Sequence, residues 1–331
     1  METRKLQKIG GSTYSVSLPK EWATEHHLEA GMPIRLYPHA DGSLVVRRAA
    51  RDGGPLSATE MQLPSSDAAT VRRALQAAYA VGYDTVSLVS PGTFTTDERR
   101  TVRRLVDTMV GMSVVEETDA QVTVENLLDA GEVSVQQSVA QLQFTALSMH
   151  RSAVETLRHP DEGDRLAGRD DSADRLFRMI TRHFNRSLTD FAEVDHLDVR
   201  RSKLFDYYLT ARQLERVADH AVDVAAVADR SDGTAPESVL DDVCSLADRA
   251  CEVVEAGTTA VLESSADRAY TVLDRRDAVV DDIHALDRAL FERSPPDAYA
   301  LSRVLAALVR TAACGGNAAR VALRASVRPD D

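Results

Sequence analysis

The sequence predicts a multidomain chain with a β-rich head, a small α+β domain and a long all-α body. Three observations point there: charge is divided unevenly, the hydrophobic period changes along the chain, and turn residues thin out after Gly131. The helical period is clearest in LTARQLERVADHAVDVAAVA, Leu209 to Ala228. At 100° per residue, Val217, Ala221, Val224, Ala225 and Ala228 fall on one side.

The chain has 331 residues, enough for two or three domains with real cores. Fifty-two acidic residues against 39 basic ones give a formal charge of −13, and only four of the basic residues are Lys. Such a surface argues against a chain coated in nucleic acid and fits a high-salt cytoplasm. Cys244, Cys251 and Cys314 form no CxxC unit and are odd in number, so they read as buried, reduced thiols of a cytosolic protein. METRKLQK has no apolar signal core, and no run of roughly 18 residues is apolar enough for a membrane span. A cytoplasmic protein without membrane insertion is expected.

Residues 1–51 form the head. Eight basic and five acidic residues give it +3, leaving −16 for the rest, the asymmetry of a nucleic-acid-binding module on an acidic body. Its pattern is RKLQKIG, a Gly10-Gly11 turn, alternating Tyr14, Val16 and Leu18, and a short helix from Lys20 to His27. Ile34 to Leu36, an Asp41-Gly42 hairpin signal and Leu44 to Val46 follow. Asp52-Gly53-Gly54 makes a short linker.

Residues 55–130 alternate in period. Strands are expected at 56–63, 85–89, 112–117 and 120–124, and helices at 67–81 and 96–110, the second capped by Thr95 or Thr96 with Asp97 and Glu98 in its first turn. A linker or sensor role is expected, because the segment has no Gly-rich phosphate loop, no catalytic Ser or Cys setting and no ligand-spaced His.

From 132 to 326 the chain reads as six helices, 132–158, 163–191, 197–229, 237–263, 266–293 and 297–326. They are punctuated at His159-Pro160-Asp161, Asp232-Gly233, Pro236 and Pro295-Pro296. Two of them carry matched acid pairs. Glu215 and Asp219 are four apart on the border of the apolar face. Asp170 and Asp174 repeat the spacing on the stripe bearing Phe177, Phe184 and Leu188. Carboxylates at a core's edge are costly unless paired or bound to a cation, and four converging on one spot suit a hard divalent or trivalent ion of the iron, zinc, manganese or magnesium class. The alternative is a salt-bridged surface in which Arg169, Arg212 and Arg216 neutralise the acids. An approximate repeat, RDDSADRL in RRDAVVDDI, sets Asp277 and Asp281 against Asp170 and Asp174. Aligning LERVADHAVD with LVRTAACGGN puts Val309 and Ala313 where Glu215 and Asp219 stand. That second set lacks half its carboxylates, and His284, on the face of Asp281, is its candidate replacement ligand.

Acid-x-x-x-Asp on paired helices, with the second written LERVADHAVDVA, resembles the metal-binding signature of PhoU-type phosphate-uptake regulators over residues 132–326. The resemblance implies tandem three-helix bundles, 132–229 and 237–326, and negative control of phosphate uptake and phosphate homeostasis. It also implies contact with an ATP-binding-cassette phosphate transporter or a sensor kinase. KIGGSTYSVSLPKEWA…GMPIRLY…DGSLVVRR resembles the AbrB/SpoVT/MazE group of dimeric swapped-hairpin β-barrels. It implies a homodimer or higher oligomer and DNA contacts from Arg4, Lys5, Lys8 and Lys20. The expected whole is a non-enzymatic phosphate regulator coupling a metal-binding helical body to DNA. The alternative keeps the carboxylate bundle but gives the head a purely dimerising role, with action only through protein partners. A di-iron carboxylate enzyme would need Glu-x-x-His pairs on two helices, which are absent. An antitoxin-like binder would not need so large a helical body.

Overall fold

The computed structural model describes residues 3–25, 27–38, 44–48, 56–158, 167–231 and 233–328. The Asp41-Gly42 turn, the 52–54 linker, the His159–Asp161 break and Asp232 lie outside the described residues. The chain divides into two compact units between Gly54 and Pro55, and the α+β region and helical body share the second.

In the head, β1 (Gln7–Ile9) pairs antiparallel with β2 (Thr13–Ser15) across Gly10, whose φ of +69° suits a residue without a Cβ. A short helix α1 (Lys20–Glu25) follows. It ends before the expected His27, which sits at φ +52° and cannot continue a right-handed turn. Strands β3 (Ile34–Pro38) and β4 (Leu44–Arg48) form a second antiparallel pair. Within one chain these are two separate two-stranded sheets, and the expected barrel, which takes two interleaved copies, is not closed by one. The physical reason is a lack of core: none of the described head residues is buried, and an isolated hairpin is marginal in water.

The α+β domain runs β5 (Ala58–Gln62), α2 (Ala68–Val81), β6 (Thr85–Val89), α3 (Thr96–Val106), β7 (Met112–Glu117) and β8 (Gln121–Asn126). Its sheet has the order β5-β6-β8-β7, with β5 parallel to β6 and the other pairs antiparallel. Val71, Leu75 and Tyr79 of α2 and Val102 and Leu105 of α3 pack on Val86, Leu88, Val122 and Val124. Asp67 caps α2 through the N–H groups of Ala69 and Thr70, and Thr95 with Glu98 forms a capping box for α3. Helix α3 stops short of the expected 110 because the chain tightens there. The N–H groups of Thr108 and Met109 donate to Leu105 and Val106 carbonyls, and Met109 tucks into the core.

After a 3₁₀ turn at Ala130–Glu132 come α4 (Val135–Glu155), α5 (Ala167–Thr189), α6 (Phe191–His196), α7 (Arg201–Ala228), α8 (Glu237–Leu262), α9 (Ala266–Arg293) and α10 (Ala298–Ser326). The expected six long helices are present. The extra short α6 is capped by Asp190 and followed by Asp198 at φ +47°, which separates it from α7. One continuous apolar core joins the two bundles, and the five alanines and valines of the α7 stripe are all in it. Helix α5 meets α7 through an aromatic ladder, with Phe184 stacked on Tyr208 at 4.6 Å and tilted against Phe205 at 5.6 Å. Leu188, expected on the same stripe, is instead 56% exposed. Helices α8 and α10 cross backbone to backbone, where a Cβ on Gly315 would lie 2.6 Å from the Val253 carbonyl.

Candidate metal-binding face

Asp170 and Asp174 project from α5 toward Glu215 and Asp219 of α7, the aromatic ladder lying further along the same pair of helices. Asp170, Asp174 and Glu215 are half-buried and Asp219 is exposed. Three of the four are raised by burial and by neighbouring acids. Burial raises Asp170 above the usual carboxylate range, and Asp174 and Asp219 add to it. Glu215 is pushed up to about 7 by burial and then by Asp219 and Asp174, against the pull of Arg212 and Arg216. Asp219 is likewise raised by burial and by Asp174 and Asp223. The face is a set of oxygen donors under mutual repulsion, the chemistry a hard cation relieves.

Arginines partly offset it: Arg212 and Arg216 of the expected set act on Glu215, and Arg169 does not join them. Arg169 turns away to the hydroxyls of Ser148 and Ser152 on α4 at 3.2 and 3.0 Å, while Arg178 pairs with Asp174. Among the described residues, no three His, Cys, Asp or Glu side chains stand close enough to share one metal ion. The side chains are oxygen donors of the kind a hard cation takes, but they are not gathered into one site, and Arg178 holds Asp174.

The second set is different. Asp277, Asp281 and His284 are all exposed on α9, and Asp277 pairs with Arg276 at 3.1 Å. Opposite them stand half-buried Val309 and Ala313, so the structure does not bring the three into a carboxylate cluster. In the head, Arg4, Lys5, Lys8 and Lys20 are exposed, with Lys8 in β1 and Lys20 opening α1.

Reading the sequence missed a polar chain behind the acid face. His150 Nδ1 lies 3.4 Å from Cys251 Sγ, and its Nε2 lies 3.2 Å from Thr311 Oγ1. Thr311 Oγ1 is in turn 3.2 Å from His220 Nδ1. Four helices, α4, α7, α8 and α10, are joined this way. Burial pushes His150 and His220 each down to about 4 and Cys251 up to about 12, so all three are neutral near pH 7. Only the DH pair in LERVADH hinted at it, because the partners lie 91 to 161 residues apart in sequence.

Residues 139–228, which contain the whole acid face, match the family model described as the PhoU domain. The helical body is PhoU-like. Residues 7–53 match the model described as antidote-toxin recognition MazE, a bacterial antitoxin. Two solved structures are similar. The crystal structure of PhoU from Pseudomonas aeruginosa has a TM-score of 0.51 and 18% identity, over 58% of this chain and 94% of that one. The phosphate transport system regulatory protein PhoU from Streptococcus pneumoniae has a TM-score of 0.43 and 12% identity, over 59% and 97%. The likeness to the Pseudomonas protein is one of fold. No curated protein matches the sequence. No helix among the described residues is long and apolar enough to cross a membrane.

Proposed function

We propose that the chain is a non-enzymatic regulator of phosphate uptake. Its PhoU-like body binds a divalent or trivalent cation between Asp170, Asp174, Glu215 and Asp219, and its head joins two copies on DNA. The observation that carries the reading is the coincidence of the PhoU-domain match over 139–228 with the face where burial and repulsion raise three of the four carboxylates. A cation there would take oxygen ligands from α5 and α7, neutralise their repulsion and draw the two helices together. The regulator would act as negative control on uptake, through an ATP-binding-cassette phosphate transporter or a sensor kinase.

The head supplies the second half of the proposal. Leu6, Ile9, Tyr14, Val16, Leu36 and Leu44 are all exposed in the single chain, more apolar surface than a module this small leaves in water. A second copy covering it would close the swapped-hairpin barrel, with Arg4, Lys5, Lys8 and Lys20 left for phosphate contacts. The modest charge of +3 favours a second reading, in which the head only dimerises.

Three measurements on the full chain test this. Elemental analysis and manganese titration should show metal bound in the wild type and lost in Asp174→Ala. Leu36→Glu should shift the oligomer toward monomer. A joint Arg4→Ala and Lys8→Ala change should weaken binding to all DNA sequences alike. DNA binding that is absent in the wild type would leave the dimerising reading. A chain free of metal under all loading conditions would sink the cation reading.

A further inference from the structure

Helix α5 has two differently used ends. Its first turns carry the acids facing α7. Its last turns reach into the α+β domain. Arg182 donates to the Tyr83 carbonyl at 2.8 Å and to Asp84 Oδ1 at 3.1 Å, and Asn185 Nδ2 donates to the Ala80 carbonyl at 2.6 Å. Arg186 donates to the Gly82 carbonyl at 2.6 Å and to Asp84 Oδ1 at 2.5 Å. Ala80, Gly82 and Tyr83 are at the end of α2, where a helix leaves carbonyls without intrahelical partners. Another domain's helix supplies the cap.

The fit is close at this end. Gly82 sits at φ +105°, and a side chain there would collide with the aliphatic stem of Arg186. Arg186 is held from behind by Glu193 Oε2 at 3.0 Å, and the other Glu193 oxygen meets His183 Nδ1 at 2.5 Å. Arg182 is only 2% exposed, so its charge is committed to these partners. Toward its own bundle α5 offers less. Ala173, Met179 and Ile180 are its buried apolar residues, against a long buried row on α4 and on α7. At the acidic end, like charges push it from α7. A 23-residue helix is a stiff rod of roughly 35 Å, so a shift at one end is carried to the other.

We propose that α5 transmits cation binding at Asp170, Asp174, Glu215 and Asp219 to the α+β domain through the Arg182–Asn185–Arg186 clamp on the end of α2, making that domain the responding module of the chain. The inference rests on the cation reading above. Hydrogen–deuterium exchange of the full chain, with manganese chloride and then with chelator, tests both separately. The N–H groups of Gly82 and Tyr83 bond the Ala78 carbonyl at 3.1 and 3.2 Å, so their exchange reports opening at the clamp. Manganese should slow exchange about fivefold or more in 170–178 and 212–219, and also in 79–84. Asp84→Ala should keep the first effect and lose the second. Arg186→Gln makes the same comparison if the first variant does not fold. Slowing at the acids with 79–84 unchanged in the wild type would overturn the transmission and leave the cation reading standing. Slowing at 79–84 that persists in the clamp variants would overturn the route. No slowing anywhere would overturn both.

Discussion

The two bundles share a helical plan and use it for opposite ends. In the first, four acids on α5 and α7 confront one another, and the contact is made good further along by Phe177, Phe184 and Tyr208. In the second, Val309 and Ala313 replace two of the acids, Asp277 and Asp281 point to solvent, and the Arg276 side chain lies against Gly316. There α10 also packs backbone to backbone on α8 at Gly257 and Gly315. Removing charge from a helix interface permits small residues and close crossing. Keeping it leaves a strained face that a ligand can relieve. One bundle is therefore a scaffold and the other a candidate sensor.

The strongest way to break this comparison is in the scaffold. Gly315→Val forces a side chain into the Val253 backbone, and we expect a loss of about 3 kcal/mol or more, read as a lowered denaturation midpoint. An unchanged midpoint would mean that α8 and α10 are not closely crossed.

The next test concerns the chain of polar groups joining the bundles. His150 is held near 4, against an ordinary value of 6.5, chiefly by burial, with His220 and Arg151 adding to it. The unfolded chain therefore takes up this proton first. Stability should be full above pH 6.5 and fall progressively toward pH 4, by up to about 3 kcal/mol from this group. His150→Gln should flatten that part of the pH profile in urea titrations. A profile of the same slope in the variant would assign the loss to other groups.

A smaller effect separates the acid faces directly. Saturating manganese should raise the melting temperature of the wild type by several degrees, since a ligand at about 100 times its Kd adds roughly 2.7 kcal/mol. Asp219→Ala should abolish that increment. The smallest expected effect is that of Asp281→Ala, within about 0.5 kcal/mol in stability and with the metal increment intact, because its exposed carboxylate has no partner set across the interface. Equal losses at Asp219 and Asp281 would erase the distinction between the bundles.

Much of this was legible locally. The helices of the body begin and end within a few residues of the positions that periodicity and turn residues indicate, and Thr95 with Glu98 forms the cap its spacing suggests. Short-range signals failed at α6, where Asp190 and Asp198 break a run that reads as one connection. They also failed at Arg169, which flanks the acids in sequence and which only packing sends to the serines of α4, whereas Arg178 meets Asp174 one helical turn back, a local contact of spacing four.

By itself the sequence determined the basic head, the alternating middle, the six long helices, and the sharing of a helix face by each acid pair. These follow from charge, from periods of two and 3.6, and from caps acting over three or four residues. Tertiary structure alone decided the His150–Thr311–His220 chain, the close crossing at Gly257 and Gly315, and the clamp of Arg182 and Arg186 on Asp84. Those contacts join residues about a hundred or more apart, or two backbones whose approach no local pattern records. They come into being only when the hydrophobic faces that the sequence does specify have packed.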